Sequence, residues 1–220
     1  MKNIKMLACA AFITVSLTSC AVHVQANSKG GDLDSVFGGV TVSQGAEVRD
    51  VSSVNGGVEL KKNSSARDVE TVNGGIDIGS GVRIRSAETV NGGIDGGEGL
   101  TVEQSVETVN GGIELDKNTQ IGGNVETVNG DIDLNNVKIG KNLKTNNGDI
   151  TLTNGSEIVG NIIVEASNGW FSGWGNDEKI VIKIDDSSAV RGEIQLHKPV
   201  KLEISEKAIV GEIKYLYERK

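Results

Sequence analysis

Apolar residues fall at fixed offsets along most of this chain of 220 residues. Counted from Val72, they recur at Ile76 and Ile78, at Val82 and Ile84, at Ala87, and at Val90, which opens the next cycle. An earlier stretch repeats those offsets through Val36, Val40, Val42, Ala46, Val48, Val51 and Val54. Apolar residues two apart mark a strand with one face inward. Pairs six apart call for three short strands per cycle, with corners between them. Gly74-Gly75 and Gly79-Ser80-Gly81 supply residues for those corners. The third side is less regular. Val69-Glu70-Thr71-Val72 places valines three apart, and strict alternation cannot bury both, so a bulge or early corner is expected there.

The same cycle is written as a motif, Thr-Val-Asn-Gly-Gly-Ile and its variants. It runs from Ser53 to Val58, Thr71 to Ile76, Thr89 to Ile94, Thr108 to Ile113, Thr127 to Ile132 and Thr145 to Ile150. Its asparagines are Asn55, Asn73, Asn91, Asn110, Asn129 and Asn147, at spacings of 18, 18, 19, 19 and 18. So short a period means that each repeat is one turn of a solenoid. The predicted fold is all-β: a single-stranded triangular parallel β-helix of about nine or ten turns, its strands about 4.8 Å apart. A second motif extends the count through Gly123-Asn124-Val125, Lys141-Asn142-Leu143, Gly160-Asn161-Ile162, Gly192-Glu193-Ile194 and Gly211-Glu212-Ile213. Its spacings are 18, 19, 32 and 19, which places a 13-residue insertion near 167–179. The predicted solenoid domain covers residues 36–220, with no linker or change of composition dividing it.

Composition fits a narrow aliphatic core. Aromatic residues are 3% of the chain, while glycine occurs 30 times and proline once, at Pro199. The formal net charge is -8, and the acid excess is uneven. From Cys20 to Gly175 there are 11 basic and 21 acidic residues, and from Asn176 onward 9 of each. An acidic surface of this kind disfavours nucleic acid and anionic lipid as partners.

The N-terminus reads as an export signal. Lys2 and Lys5 precede an apolar run of 12 residues, Met6 to Leu17, too short to span a bilayer and suited to a signal-peptide core. Leu17-Thr18-Ser19-Cys20 resembles the lipobox of bacterial lipoproteins. That resemblance implies a signal peptide over residues 1–19, cleavage before Cys20, lipid on its thiol and new amino group, and residues 20–35 as a lipidated tether. Ala21 is uncharged, as is typical of lipoproteins sorted to the outer membrane. A second cleavage site follows Val24-Gln25-Ala26, and its use would release a soluble periplasmic or secreted protein. Lipidation would consume the only cysteine left after removal of Cys9, a free thiol otherwise out of place in an oxidising compartment.

Four features carry candidate chemistry. The asparagine column reads as a structural ladder, its amides bonding from turn to turn, with Phe37 in the equivalent place of the first turn. Two acidic columns, Glu59, Asp77, Asp95, Glu114 and Asp133 beside Glu70, Glu88, Glu107 and Glu126, are expected to point outward. In-register like charges repel. Either solvation or divalent cations would offset them, and the calcium-binding nonapeptide repeat is absent. The insertion holds Trp170, Phe171 and Trp174, candidates for glycan or protein contact or for folding back over the solenoid. The last feature is the end of the rod. Solenoid ends expose unpaired strands, and Tyr215-Leu216-Tyr217 would either cap one or leave it open to self-association. No cofactor motif is present. The histidines, His23 and His197, stand apart from any nucleophile or metal-binding pattern, so no enzyme is expected, and the alternative of a carbohydrate-active enzyme would need convergent carboxylates beside the insertion.

The rungs from Val36 to Asn154 resemble those of bacterial adhesin-like β-solenoids, whose repeats read Val-(Asn/Ser)-Gly-(Asp/Gly)-Ile and often sit on lipoproteins. The later Gly-(Asn/Glu)-(Ile/Val) corners look like those of bactofilins, the polymer-forming solenoids, although the export signal departs from that group. The resemblance implies a structural or adhesive role in the cell envelope, reached through the N-terminal lipid, and carries over no active-site residue. The expected partners are a membrane and an envelope protein or glycan.

Overall fold

The structure is a computed structural model that describes residues 22–166 and 180–218. Those residues form a stack of coils on three faces, most coils passing through three strands. Three all-parallel sheets result: ten strands on the first face, seven on the second and ten on the third. The stack has ten coils, and nine steps of about 4.8 Å make it about 43 Å long. On the second face the first coils meet only through single bridges, Lys29 to Glu47, Glu47 to Ser65 and Ser65 to Arg83.

Register is kept throughout. On the first face Ile76, Ile94, Ile113, Ile132, Ile150, Ile182 and Leu202 lie directly above one another. One coil buries Ile76 and Ile78 from the first face, Val82 and Ile84 from the second and Ala87 from the third. Strands of two to six residues suffice because all but the end strands of each sheet are paired on both sides.

The corners explain the polar repeats. Between the first and second faces each of the first eight coils has a left-handed residue, Asn27, Gly45, Asn63, Gly81, Gly99, Asn118, Asn136 and Asn154, with φ between 54° and 73°, and Gly155 beside Asn154 is a further one at 86°. Only glycine and asparagine occupy this column, the residues that tolerate that conformation best. Between the second and third faces the lower coils are tied by ion pairs. Arg49 meets Asp32 at 3.1 Å, Arg67 Nε donates to Asp50 at 3.0 Å, and Arg85 Nε donates to Asp68 at 2.7 Å. Higher up, side-chain amides take over. Asn124, Asn142 and Asn161 each accept the backbone N–H of the next turn, at 3.1, 2.9 and 2.8 Å.

Two expectations are corrected. The segment expected to be a tether begins the fold: Val22–Val24 pairs with Val40–Val42, and Leu33–Phe37 pairs with Val51–Asn55. Among the described residues the solenoid therefore already includes Val22–Phe37, ahead of the expected start at Val36. Its apolar residues Val22, Val24 and Leu33 are too few and too spaced to stand out in the sequence, but they match the columns above them. The third side also needs no bulge. Along Asp68–Asn73 burial alternates, with Val69 and Thr71 inside and Val72 outside. A valine cannot donate to the corner carbonyl of the turn below, whereas a threonine can. Thr71, Thr89, Thr108 and Thr127 donate to Gly56, Gly74, Gly92 and Gly111 carbonyls at 2.8 to 3.0 Å.

The described residues break after Ala166 and resume at Ile180. The strands on either side stay in register, Ile150 with Ile182 and Ile162 with Ile194. In the last coil Leu202, Ile204, Val210 and Ile213 are only partly buried. Of the residues expected to cap that end, Tyr217 packs on the core and meets the Tyr215 ring edge-on at 6.1 Å, while Leu216 remains half exposed.

Candidate functional site

The corner from third to first face carries the repeated motif, and its geometry follows from close packing. Successive Gly residues at the first position stack so tightly that a Cβ on Gly74 would lie 2.3 Å from the Gly56 carbonyl oxygen. The second position is roomier, with the nearest atom to a Cβ on Gly93 at 3.3 Å. That difference explains why Asp131 and Asp149 replace the second glycine and never the first. Each aspartate also has a use. Asp131 accepts the N–H of Asp149, and Asp149 accepts the N–H of Val181 across the insertion, both at 2.8 Å.

The asparagine amides hydrogen-bond in series beside this corner. Asn73 donates to Asn55 at 3.0 Å, Asn91 to Asn73 at 2.9 Å, Asn110 to Asn91 and Asn129 to Asn110 at 3.0 Å, and Asn147 to Asn129 at 2.8 Å. At the lower end Asn55 donates to the Val36 carbonyl, and Phe37 lies in register beneath it. At the upper end Lys198, two coils on, donates to Asn147 Oδ1 at 2.8 Å. Burial holds the Lys198 ammonium below the usual lysine range.

Both acidic columns lie on outer surfaces in register. On the first face Asp77, Asp95, Glu114 and Asp133 are exposed, and Glu59 pairs with Lys61. Between them and the second-glycine column runs a shallow groove of about 340 Å³, lined by Gly39, Gly57, Gly75, Glu59, Asp77 and Asp95. Burial, and then Asp77, push the Asp95 carboxyl above its ordinary range. On the third face Glu70, Glu88, Glu107 and Glu126 are half-buried and stacked strand on strand. Burial is the main cause that raises Glu70, Glu88 and Glu107. Asp50 adds to it at Glu70, the glutamates above and below at Glu88, and Glu126 at Glu107, where a Ser105 hydrogen bond and Lys144 work against it. Among the described residues Glu126 alone of the four meets a cation, Lys144 at 3.4 Å. Elsewhere carboxylates are pulled the other way, as at Asp50 by the Arg67 hydrogen bond and at Glu157 by Arg191 and Lys138.

The structure brings the six asparagines together and leaves other predicted site residues aside. Cys20, Trp170, Phe171 and Trp174 lie outside the described residues. His23 Nε2 lies 3.1 Å from Ser43 Oγ on the exposed surface of the first two coils. Among the described residues no three His, Cys, Asp or Glu side chains gather to hold a metal ion. Sequence reasoning missed the threonine column, the left-handed Asn/Gly column and the Arg-Asp staircase. The first and last were visible as Thr, or Ser53 in the first repeat, before each Val-Asn-Gly and as Arg49-Asp50 and Arg67-Asp68 one period apart. It also placed Val72 and its equivalents in the core. They form instead an outward stripe beside the glutamates. No family model matches this chain, and no curated protein or solved structure is detectably similar to it.

Proposed function

We propose that this protein is a non-catalytic structural rod of the bacterial cell envelope, exported, anchored by lipid on Cys20, and adhesin-like in presenting its long faces to partners. The observation that carries this reading is the unbroken register of two ten-stranded parallel sheets along one axis. With side-chain ladders at its corners, such a stack is stiff along its length and offers the same chemistry at every step, which suits display and spacing. The first strand supports the lipobox over the alternative cleavage site. Cutting after Ala26 would strip Val22–Val24 from the sheet it shares with Val40–Val42, whereas cutting before Cys20 keeps it. In sequence Val22, the first described strand residue, follows Cys20 by two positions, so a lipid on Cys20 would hold the rod close to the membrane.

Expression in a Gram-negative host with labelled palmitate tests this. The wild-type chain is expected in the outer-membrane fraction carrying label, and Cys20→Ala is expected in the soluble fraction without it. An unlabelled wild-type chain whose N-terminus is Asn27 would overturn the anchor.

A further inference from the structure

The outer surface of the third face changes character along the rod. In the first six coils it carries Val36, Val54, Val72, Val90, Val109 and Val128 one above another, with Phe37 beside the lowest. Val90 is 39% exposed and Phe37 53%. Above Val128 the column turns polar, with Asn146, Glu165 and His197. The apolar stripe is therefore bounded and about 24 Å long, five strand spacings. One flank is the neutral asparagine ladder. The other is the glutamate column, in which Glu70 and Glu88 meet no cation among the described residues.

We infer that this face docks a cationic amphipathic segment of a partner protein, its apolar side chains along Val36 to Val128 and its Lys or Arg residues over Glu70 to Glu126. The inference goes beyond the envelope role and does not depend on the lipid. The argument is charge complementarity joined to length. Apolar surface in water and in-register carboxylates are both unfavourable, and they lie side by side, so one ligand with an apolar ridge and a cationic edge relieves both. About sixteen helical residues span the stripe. A second copy of this chain fits less well, since the same face brings five more carboxylates, Asp34 included, and a single Lys144 to the contact. An anionic lipid surface is repelled by the glutamates.

Binding of a fluorescently labelled sixteen-residue Leu/Lys amphipathic helix to the full chain, read by anisotropy, tests the assignment. Saturable binding at one peptide per chain is expected. The triple variant Val72→Thr, Val90→Thr, Val109→Thr keeps β-branching at every site and should weaken it by about tenfold or more. The pair Glu88→Gln, Glu107→Gln, which leaves the valines intact, should weaken it similarly and flatten its salt dependence. A peptide with serine in place of leucine should bind at least about tenfold more weakly. Equal binding of the serine peptide, or binding indifferent to both variants, overturns the proposal. So does light scattering that shows a wild-type dimer dissolved by the valine variant, because the occupant is then a second copy.

Discussion

Gly92→Ala probes the closest contact in the stack. A Cβ there would lie 2.1 Å from the Gly74 carbonyl oxygen and 2.4 Å from its carbon. Ordinary contact requires the two coils to part locally by about 1 Å. The bonds spanning that gap, Gly74 N–H to Asn91 O at 3.1 Å and Ile76 N–H to Gly93 O at 3.0 Å, then lengthen beyond hydrogen-bond range. So does the rung between Asn91 and Asn73. Three bonds at about 1 kcal/mol each, with residual backbone strain, give a loss of roughly 3 to 5 kcal/mol, or a fall in Tm of roughly 10 °C for a chain of this size. Gly93→Ala is the control, since its Cβ meets nothing closer than 3.3 Å, and it should cost under about 1 kcal/mol. Thermal and urea unfolding followed by circular dichroism measures both. Equal losses for the two variants, or a Gly92→Ala change within about 0.5 kcal/mol of zero, would refute the close-packing argument.

Two further outcomes follow from the interior hydroxyls and the glutamate column. Thr108→Val removes a buried hydroxyl that bonds the Gly92 carbonyl at 2.9 Å, and should cost about 1 to 2 kcal/mol in urea unfolding. Thr145 holds a buried hydroxyl with no partner, so Thr145→Val should be neutral or stabilising, and a loss equal to that at Thr108 would contradict the structure. Glu88 has its folded-state carboxyl raised by burial and by Glu107 and Glu70, so its proton favours the folded state and that benefit is lost as pH rises through the folded value. Glu88→Gln should therefore stabilise the rod at neutral pH by about 0.5 kcal/mol, with the gain vanishing below pH about 4. A gain that grows toward acid pH would reverse the assigned sign.

What the chain determines unaided is its period. The spacing of Asn55 through Asn147, the aliphatic pairs two and six apart, and the 32-residue gap that betrays the insertion are all local patterns. They follow from the strand pleat and from identical corners recurring each turn. What faces inward at the third side was not local. Val69, Thr71 and Val72 compete for two inward places, and the corner carbonyl of the coil below favours threonine, whose hydroxyl donates to that part-buried acceptor. The same holds for the first coil. Val22, Val24 and Leu33 are unremarkable in sequence and become a coil because Val40, Val42 and Val51 offer a template above them. The half-buried state of the glutamates and the tightness of the first glycine position arise in the same way. Both are distances between residues 18 or 19 apart along the chain, and a distance exists only once one coil lies upon another.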